Sequence, residues 1–174
     1  MKLLRIAVIA ALTAAAFFLA KEYAVEPFYV ASASMEPTLS KNDHLFLDKL
    51  IFRLRRPQRG EIIAFRDPEG RHERDFIKRV IAVEGDTVEV REKRVYLNGE
   101  KLAEPYTQYT RPDEKLQGDN MPSVTVPPDS LFLLGDNRDV SDDSLSWKNP
   151  ETGERILFVN LGAVTGKVRG AYPK

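Results

Sequence analysis

The hydrophobic pattern divides the chain into an apolar leader and a patterned body. Lys2 and Arg5 precede an uncharged apolar run, Ile6 to Ala20. A helix from Leu3 to Ala20 would be about 27 Å long, just enough to cross the hydrocarbon core of a bilayer. Basic residues before such a run favour a cytoplasmic start, with the rest of the chain on the far side. A cleavable secretory signal is the rival reading. Ala14-Ala15-Ala16 would place the cut inside the apolar run, and Ala31-Ser32-Ala33 lies far beyond it. An uncleaved membrane anchor over residues 1–24 is therefore expected, followed by a body over residues 25–174.

The body reads as mostly β. Glu61 to Asp67 (EIIAFRD) is a short strand, and Asp75 to Glu84 (DFIKRVIAVE) is rich enough in β-branched residues for a central one. Gly85-Asp86 breaks the run, and TVEVRE then alternates, with Val88 and Val90 on one face. RVYL, Asn98-Gly99 and EKL together predict a type I′ hairpin. Leu131 to Asn137 (LFLLGDN) reads as a buried strand ending in a turn, and Arg155 to Val168 supplies one or two more. Glu104 to Pro128 carries five prolines and Gly118, and reads as an excursion from the core. About residues 100–128 are thus expected to be a less regular insertion.

Composition narrows the chemistry. The 174 residues carry 26 Lys plus Arg and 26 Asp plus Glu. The net charge of zero gives no global field for nucleic acid. There is no cysteine, which excludes disulfides, thiolate metal sites and a cysteine nucleophile. The two histidines, His44 and His72, have no obvious triad partner in sequence. The basic stretch Lys49, Arg53, Arg55, Arg56, Arg59 reads as a solvated face, with lipid headgroups as an alternative partner.

Three constellations carry chemistry. In FYVASASMEPTL, Phe28 to Leu39, Ser32 and Ser34 stand two apart before a proline, where serines also serve as simple turn residues. In the strand DFIKRVIAVE, alternation puts Phe76, Lys78 and Val80 on one face and Ile77, Arg79 and Ile81 on the other. An inward Lys78 would lose solvation and basicity, and its neutral amine could take a proton from a serine. An outward Lys78 would instead protect a wet sheet edge. In LLGDNRDVSDDS, four aspartates surround Asn137, Arg138 and Ser141. A calcium loop starting at Asp139 fails, because Ser144 stands where the glycine is needed and Pro150 where the bidentate Glu is needed. A polar turn bracing a site fits better.

Taken in order, SASMEPTL, GEIIAF, DFIKRVIAVEGDTV, VYLNGEKLAEP and GDNRDVSDDS resemble the bacterial type I signal peptidases (leader peptidases), membrane serine proteases of the Ser/Lys type. The resemblance implies a mostly β fold: an antiparallel sheet body with a small β excursion, preceded by one N-terminal transmembrane helix. It implies an endopeptidase that removes signal peptides from exported preproteins after a small-x-small motif. It implies Ser34 as nucleophile and Lys78 as general base. The Ser34 N–H and the Ser32 hydroxyl would form the oxyanion hole. Ser141 would orient the lysine amine, supported by Asp143, Asp136 and Arg79. Val30, Met35, Leu39, Phe76 and Ile77 would line the substrate pocket. No cofactor or metal is implied. The partners would be signal peptides, the lipid bilayer and the nearby export machinery, and the location the bacterial cytoplasmic membrane, single-pass, with the catalytic body outside.

This sequence departs from the family pattern at Ala31, where proline is common, at Ala33, where glycine is common, and at two further places. Val140 stands where Asn is usual, and Leu145 where an arginine normally braces the carboxylate matching Asp143. Arg79 or Arg138 is therefore expected to hold Asp143. A dedicated conjugation or pilus-maturation peptidase and a non-catalytic homologue are the alternative functions.

Overall fold

The structure, a computed structural model, describes residues 2, 5–14 and 25–172. Most of the expected anchor, residues 1–24, lies outside the described residues. Residues 5–14 are helical, with the apolar side chains of Ile6, Val8, Ile9 and Leu12 exposed. Among the described residues, no helix is long and apolar enough to cross a membrane.

The body is antiparallel β. In chain order its strands are β1 (Val25–Tyr29), β2 (His44–Asp48), β3 (Ile62–Phe65), β4 (Phe76–Val83), β5 (Thr87–Arg91), β6 (Arg94–Leu97), β7 (Glu100–Lys101), β8 (Met121–Thr125), β9 (Ser130–Leu134), β10 (Val159–Asn160) and β11 (Val164–Tyr172). A single helical turn, Ile51–Leu54, follows β2, and a 3-10 turn, Leu161–Ala163, precedes β11. Seven strands form one sheet in the order β1-β2-β11-β3-β4-β9-β10, and four form a second in the order β7-β6-β5-β8.

β4 lies inside the large sheet, between β3 and β9. Its residues from Ile77 to Ala82 are all buried, because neither face is left to water. Val80 packs with Ile63, Phe65, Leu133 and Trp147, while Ile77 packs with Met35, Leu39, Leu45 and Leu47. A third cluster joins Ile81, Phe132 and Leu134 to Val88, Val90 and Val95 of the small sheet. Lys78 is thus carried on an interior strand with its register fixed opposite Ile63, and Arg79 opposite Ile62 and Leu134.

The Asn98-Gly99 hairpin forms between β6 and β7, with both residues at positive φ as a type I′ turn requires. Glu92 and Lys93 make a second turn with positive φ at both residues, between β5 and β6. Neither is a residue that announces such a turn. The Glu104–Pro128 excursion also contains β8, which pairs with β5. β1 and β2 were not among the expected strands. β1 contains Pro27, which argues against a strand, yet β1 is the sheet edge, where a missing N–H is tolerated.

The basic stretch is largely paired. Lys49 meets Glu26, Arg55 meets Glu61, Arg56 meets Glu84 and Asp129, and Arg59 meets Asp86. The stretch is a solvated face, as expected, with Arg53, Arg56 and Arg59 exposed, and its ion pairs tie it to neighbouring loops.

Candidate active site

Beyond β1 the chain turns back towards β2. Val30 exchanges hydrogen bonds with Asp43 and Asn42, and Leu39 N donates to Met35 O at 2.9 Å. Met35 and Leu39 are buried and anchor the loop from below. The loop after β9 holds it from the other side. Asn137 N donates to Ser34 O at 3.1 Å, and Asn137 Nδ2 to Ala33 O at 3.3 Å. Ser34 is therefore fixed through its own backbone, and is only 7% exposed.

Lys78, on β4, is 2% exposed. Its Nζ donates to Ser34 Oγ at 2.9 Å. Burial pushes the amine down to about 8, against the opposing pull of Asp143, Asp142 and Asp136. An amine with this basicity is mostly protonated at neutral pH and becomes mostly neutral as the pH rises through about 8. Ser32 Oγ lies 3.1 Å from Ser34 Oγ, so a second hydroxyl stands beside the one that Lys78 meets.

Of the two supporting carboxylates, Arg79 takes Asp136 rather than Asp143. Arg79 binds Asp136, with Nε to Oδ1 at 2.8 Å and Nη2 to Oδ2 at 2.6 Å, and donates a third bond to Gly60 O at 2.8 Å. Thr38 Oγ1 also donates to Asp136, which ties the serine loop to the same carboxylate. Arg138 is committed to Glu104. The expectation that Arg79 or Arg138 holds Asp143 is therefore wrong, since Arg79 pairs with Asp136 and Arg138 with Glu104. Asp143 is held by the main chain: Gly135 N donates to Oδ2 and Leu145 N to Oδ1, each at 3.0 Å. Burial pushes its carboxyl up, opposed by Ser141, these two N–H groups and the Lys78 charge. The backbone of residue 145 thus meets a carboxylate that its apolar side chain cannot.

Ser141 does not hydrogen-bond Lys78. Its Oγ is enclosed and meets no partner in hydrogen-bond geometry among the described residues, though it lies close enough to Asp143 to favour that carboxylate. It abuts Gly135, where a Cβ would come within 2.2 Å of Ser141 Oγ and 2.5 Å of Ser34 O. Only glycine fits between these two.

Val30, Met35, Leu39, Phe76 and Ile77 line one groove together with Ser32, Ser34 and Lys78. Phe28, Tyr29 and Ala31 complete its β1 side, and Arg74 and Asp75 its β4 side. Neither histidine lines it. His44 sets its ring edge against Tyr29, and His72 pairs with Asp67. The remaining aspartates of the turn have partners too: Asp139 accepts from Lys93 and Arg111, and Asp142 from Arg71 and Ser146. Asn137 and Thr38 are the support residues that the sequence left without a role. Asn137 lay inside a motif already singled out, but nothing local showed which main chain it would meet.

A buried lysine against a serine hydroxyl, at the floor of an apolar groove, is an arrangement in which an amine can do for a serine what histidine does elsewhere. A family model described as signal peptidase, peptidase S26, matches residues 1–172, and the chain belongs to that family. A probable signal peptidase I-2 of Synechocystis sp. is 40% identical over 131 residues, 73% of this chain and 57% of the relative. A signal peptidase I of Bacillus licheniformis is 37% identical over 149 residues, 82% of this chain and 75% of the relative. A solved signal peptidase I structure, from Enterococcus faecalis V583, is 32% identical, covers 65% of this chain and 97% of its own, and has a TM-score of 0.48. The matches to the first curated relatives span 57%, 64% and 63% of those proteins.

Proposed function

We propose that this chain is a serine endopeptidase that cleaves signal peptides from exported preproteins, with Ser34 as nucleophile and Lys78 as general base. The observation that carries the reading is the 2.9 Å hydrogen bond from Lys78 Nζ to Ser34 Oγ, made by an amine whose burial lowers its pKa to about 8. In its neutral form the amine accepts the hydroxyl proton as Ser34 Oγ attacks the scissile carbonyl, then returns it to the leaving amine. The Ser34 N–H and the Ser32 hydroxyl receive the developing oxyanion, a role worth about 10²–10³-fold in rate per donor in comparable sites.

The groove supplies specificity in this reading. Its walls are apolar and close to Ser34, which suits small side chains flanking the scissile bond. An extended substrate lying along it would be read by main-chain hydrogen bonds, with alternate side chains turned inward.

The apolar N-terminal run anchors the chain in the cytoplasmic membrane in this reading, with residues 25–174 on the outer side near the export machinery. The exposed apolar side chains of Ile6, Val8, Ile9 and Leu12 and the preceding Lys2 and Arg5 support it. The test is cleavage of a standard preprotein in detergent by the wild type and by Ser34→Ala. Processing by the wild type at the small-x-small site, lost in the variant, is expected. Equal processing by both would overturn the assignment.

A further inference from the structure

One segment of the small-sheet excursion reaches the site without touching Ser34 or Lys78. After β7 the chain Glu104-Pro105-Tyr106-Thr107-Gln108 crosses to the loop that follows β9, and it makes three kinds of contact there. The Glu104 carboxylate receives both terminal nitrogens of Arg138, one at 3.0 Å. These two side chains are only 7% and 6% exposed. Arg138 Nε in turn donates to Gly135 O at 3.1 Å. The Tyr106 ring lies 3.9 Å from Arg79 Cζ, stacked on the guanidinium that grips Asp136, and its hydroxyl donates to Glu104 at 3.2 Å. The Gln108 backbone brackets Asn137, donating to Asp136 O at 3.0 Å and accepting from Arg138 N at 3.1 Å.

We propose that Tyr106 and Glu104 are positioning residues for the reaction, setting Ser34 through Asn137 and the Arg79–Asp136 pair. The inference rests on the peptidase reading above. Asn137 clamps the Ser34 backbone, and the residues on both sides of Asn137 are the ones that residues 104–108 hold. Arg79 follows Lys78 on β4, so its orientation over Tyr106 is coupled to the strand that carries the amine. Releasing these contacts lets the serine loop and β4 drift apart, and a displacement of about 1 Å from productive geometry can cost on the order of 10²-fold. Neither Tyr106 nor Glu104 is among the charges that act on Lys78, which feels Asp143, Asp142 and Asp136. With Asp136 still paired to Arg79, a positioning role therefore lowers turnover without moving the pH midpoint.

The experiment compares Tyr106→Ala, Tyr106→Phe, Glu104→Ala and Glu104→Gln in the full chain, with active-site labelling to count competent molecules. Tyr106→Ala and Glu104→Ala are expected to lower kcat about tenfold or more, with KM within about twofold and the pH midpoint unchanged. Tyr106→Phe keeps the ring and should stay within about threefold of wild type, and Glu104→Gln should be milder than Glu104→Ala. Amide exchange gives a readout that needs no cleavage: in Tyr106→Ala the Asn137 N–H should lose protection while the Val80 N–H of β4 keeps it. Should Glu104→Ala fail to fold, the Tyr106 pair and Glu104→Gln still decide. Normal kcat per labelled molecule, or unchanged Asn137 protection, overturns the proposal. If the wild type cleaves no preprotein, the peptidase reading falls, and the exchange measurement alone still decides whether this segment holds the serine loop.

Discussion

Lys78 Nζ reaches Ser34 Oγ across 44 positions of sequence, and no other hydrogen bond holds that amine among the described residues. The bond joins an interior strand to a loop at the sheet edge, so it forms only when the large sheet is complete. The amine is enclosed by Phe76 and its neighbours on β4, with the Phe76 ring centroid 5.9 Å away.

Ser34→Ala should lower preprotein cleavage by roughly 10⁴-fold or more while the fold persists, because the members of a nucleophile–base pair fail together. The side chain is small, and its backbone bond from Asn137 survives the change. Circular dichroism and single-turnover cleavage on the same sample check both halves. Unfolding in this variant would contradict the separation of chemistry from fold.

The pH dependence follows from Lys78. Its folded pKa of about 8 lies below the unfolded value of 10.5, so cleavage should rise with pH through about 8 and level off above it. Between pH 8 and 10.5 the unfolded chain binds more protons than the folded one, so this group makes stability increase with pH across that window. Below it, the buried amine costs on the order of 3 kcal/mol. Lys78→Met should therefore be inactive yet melt at the same or a higher temperature at pH 7. Lys78→Arg should be inactive as well, since a guanidinium does not deprotonate. A double His44, His72 variant that lost the ascending limb would transfer the base role to a histidine.

Asp143→Asn should move the ascending limb to lower pH. Asp143 is the first of the carboxylates that hold the Lys78 amine up, and removing its charge leaves burial less opposed. The asparagine oxygen can still accept one of the two backbone N–H bonds now made by Gly135 and Leu145. A pH–rate profile of the variant beside wild type measures the displacement. A midpoint that stays in place, or moves to higher pH, would show that Asp143 does not act on the lysine.

Arg79→Met should destabilise the body by about 3–5 kcal/mol, because it leaves the Asp136 carboxylate buried without its cation. Asp136→Asn, which keeps the shape and a carbonyl for the guanidinium, should cost less. Urea unfolding curves of the two variants check the order. Equal, small losses in both would mean that Thr38 and the surrounding main chain hold the carboxylate without help.

The sequence by itself determined the local elements and the chemical inventory. β-branched runs, alternation and the Asn98-Gly99 turn are short-range signals, and they placed β3, β4, β5, β6 and β9. Alternation put Phe76 and Val80 on the face of Lys78 but left open whether that face is buried, and the place of β4 inside the sheet decided it. The likeness of SASMEPTL and GDNRDVSDDS to the signal peptidase motifs, rather than their spacing, singled out the polar residues that meet at the site. β1 was hidden by Pro27, since its tolerance there depends on being the edge strand, a property of the whole sheet. The turn at Glu92 and Lys93 was hidden because its backbone conformation is imposed by β5–β6 pairing. Which carboxylate each arginine takes was decided only in three dimensions. Arg79, Arg138, Asp136, Asp143 and Glu104 offer several charge pairings of equal chemical merit in sequence. The register of β4 against β9 and the crossing of residues 104–108 select one, and buried charge is stable only in the pairing whose geometry satisfies both partners.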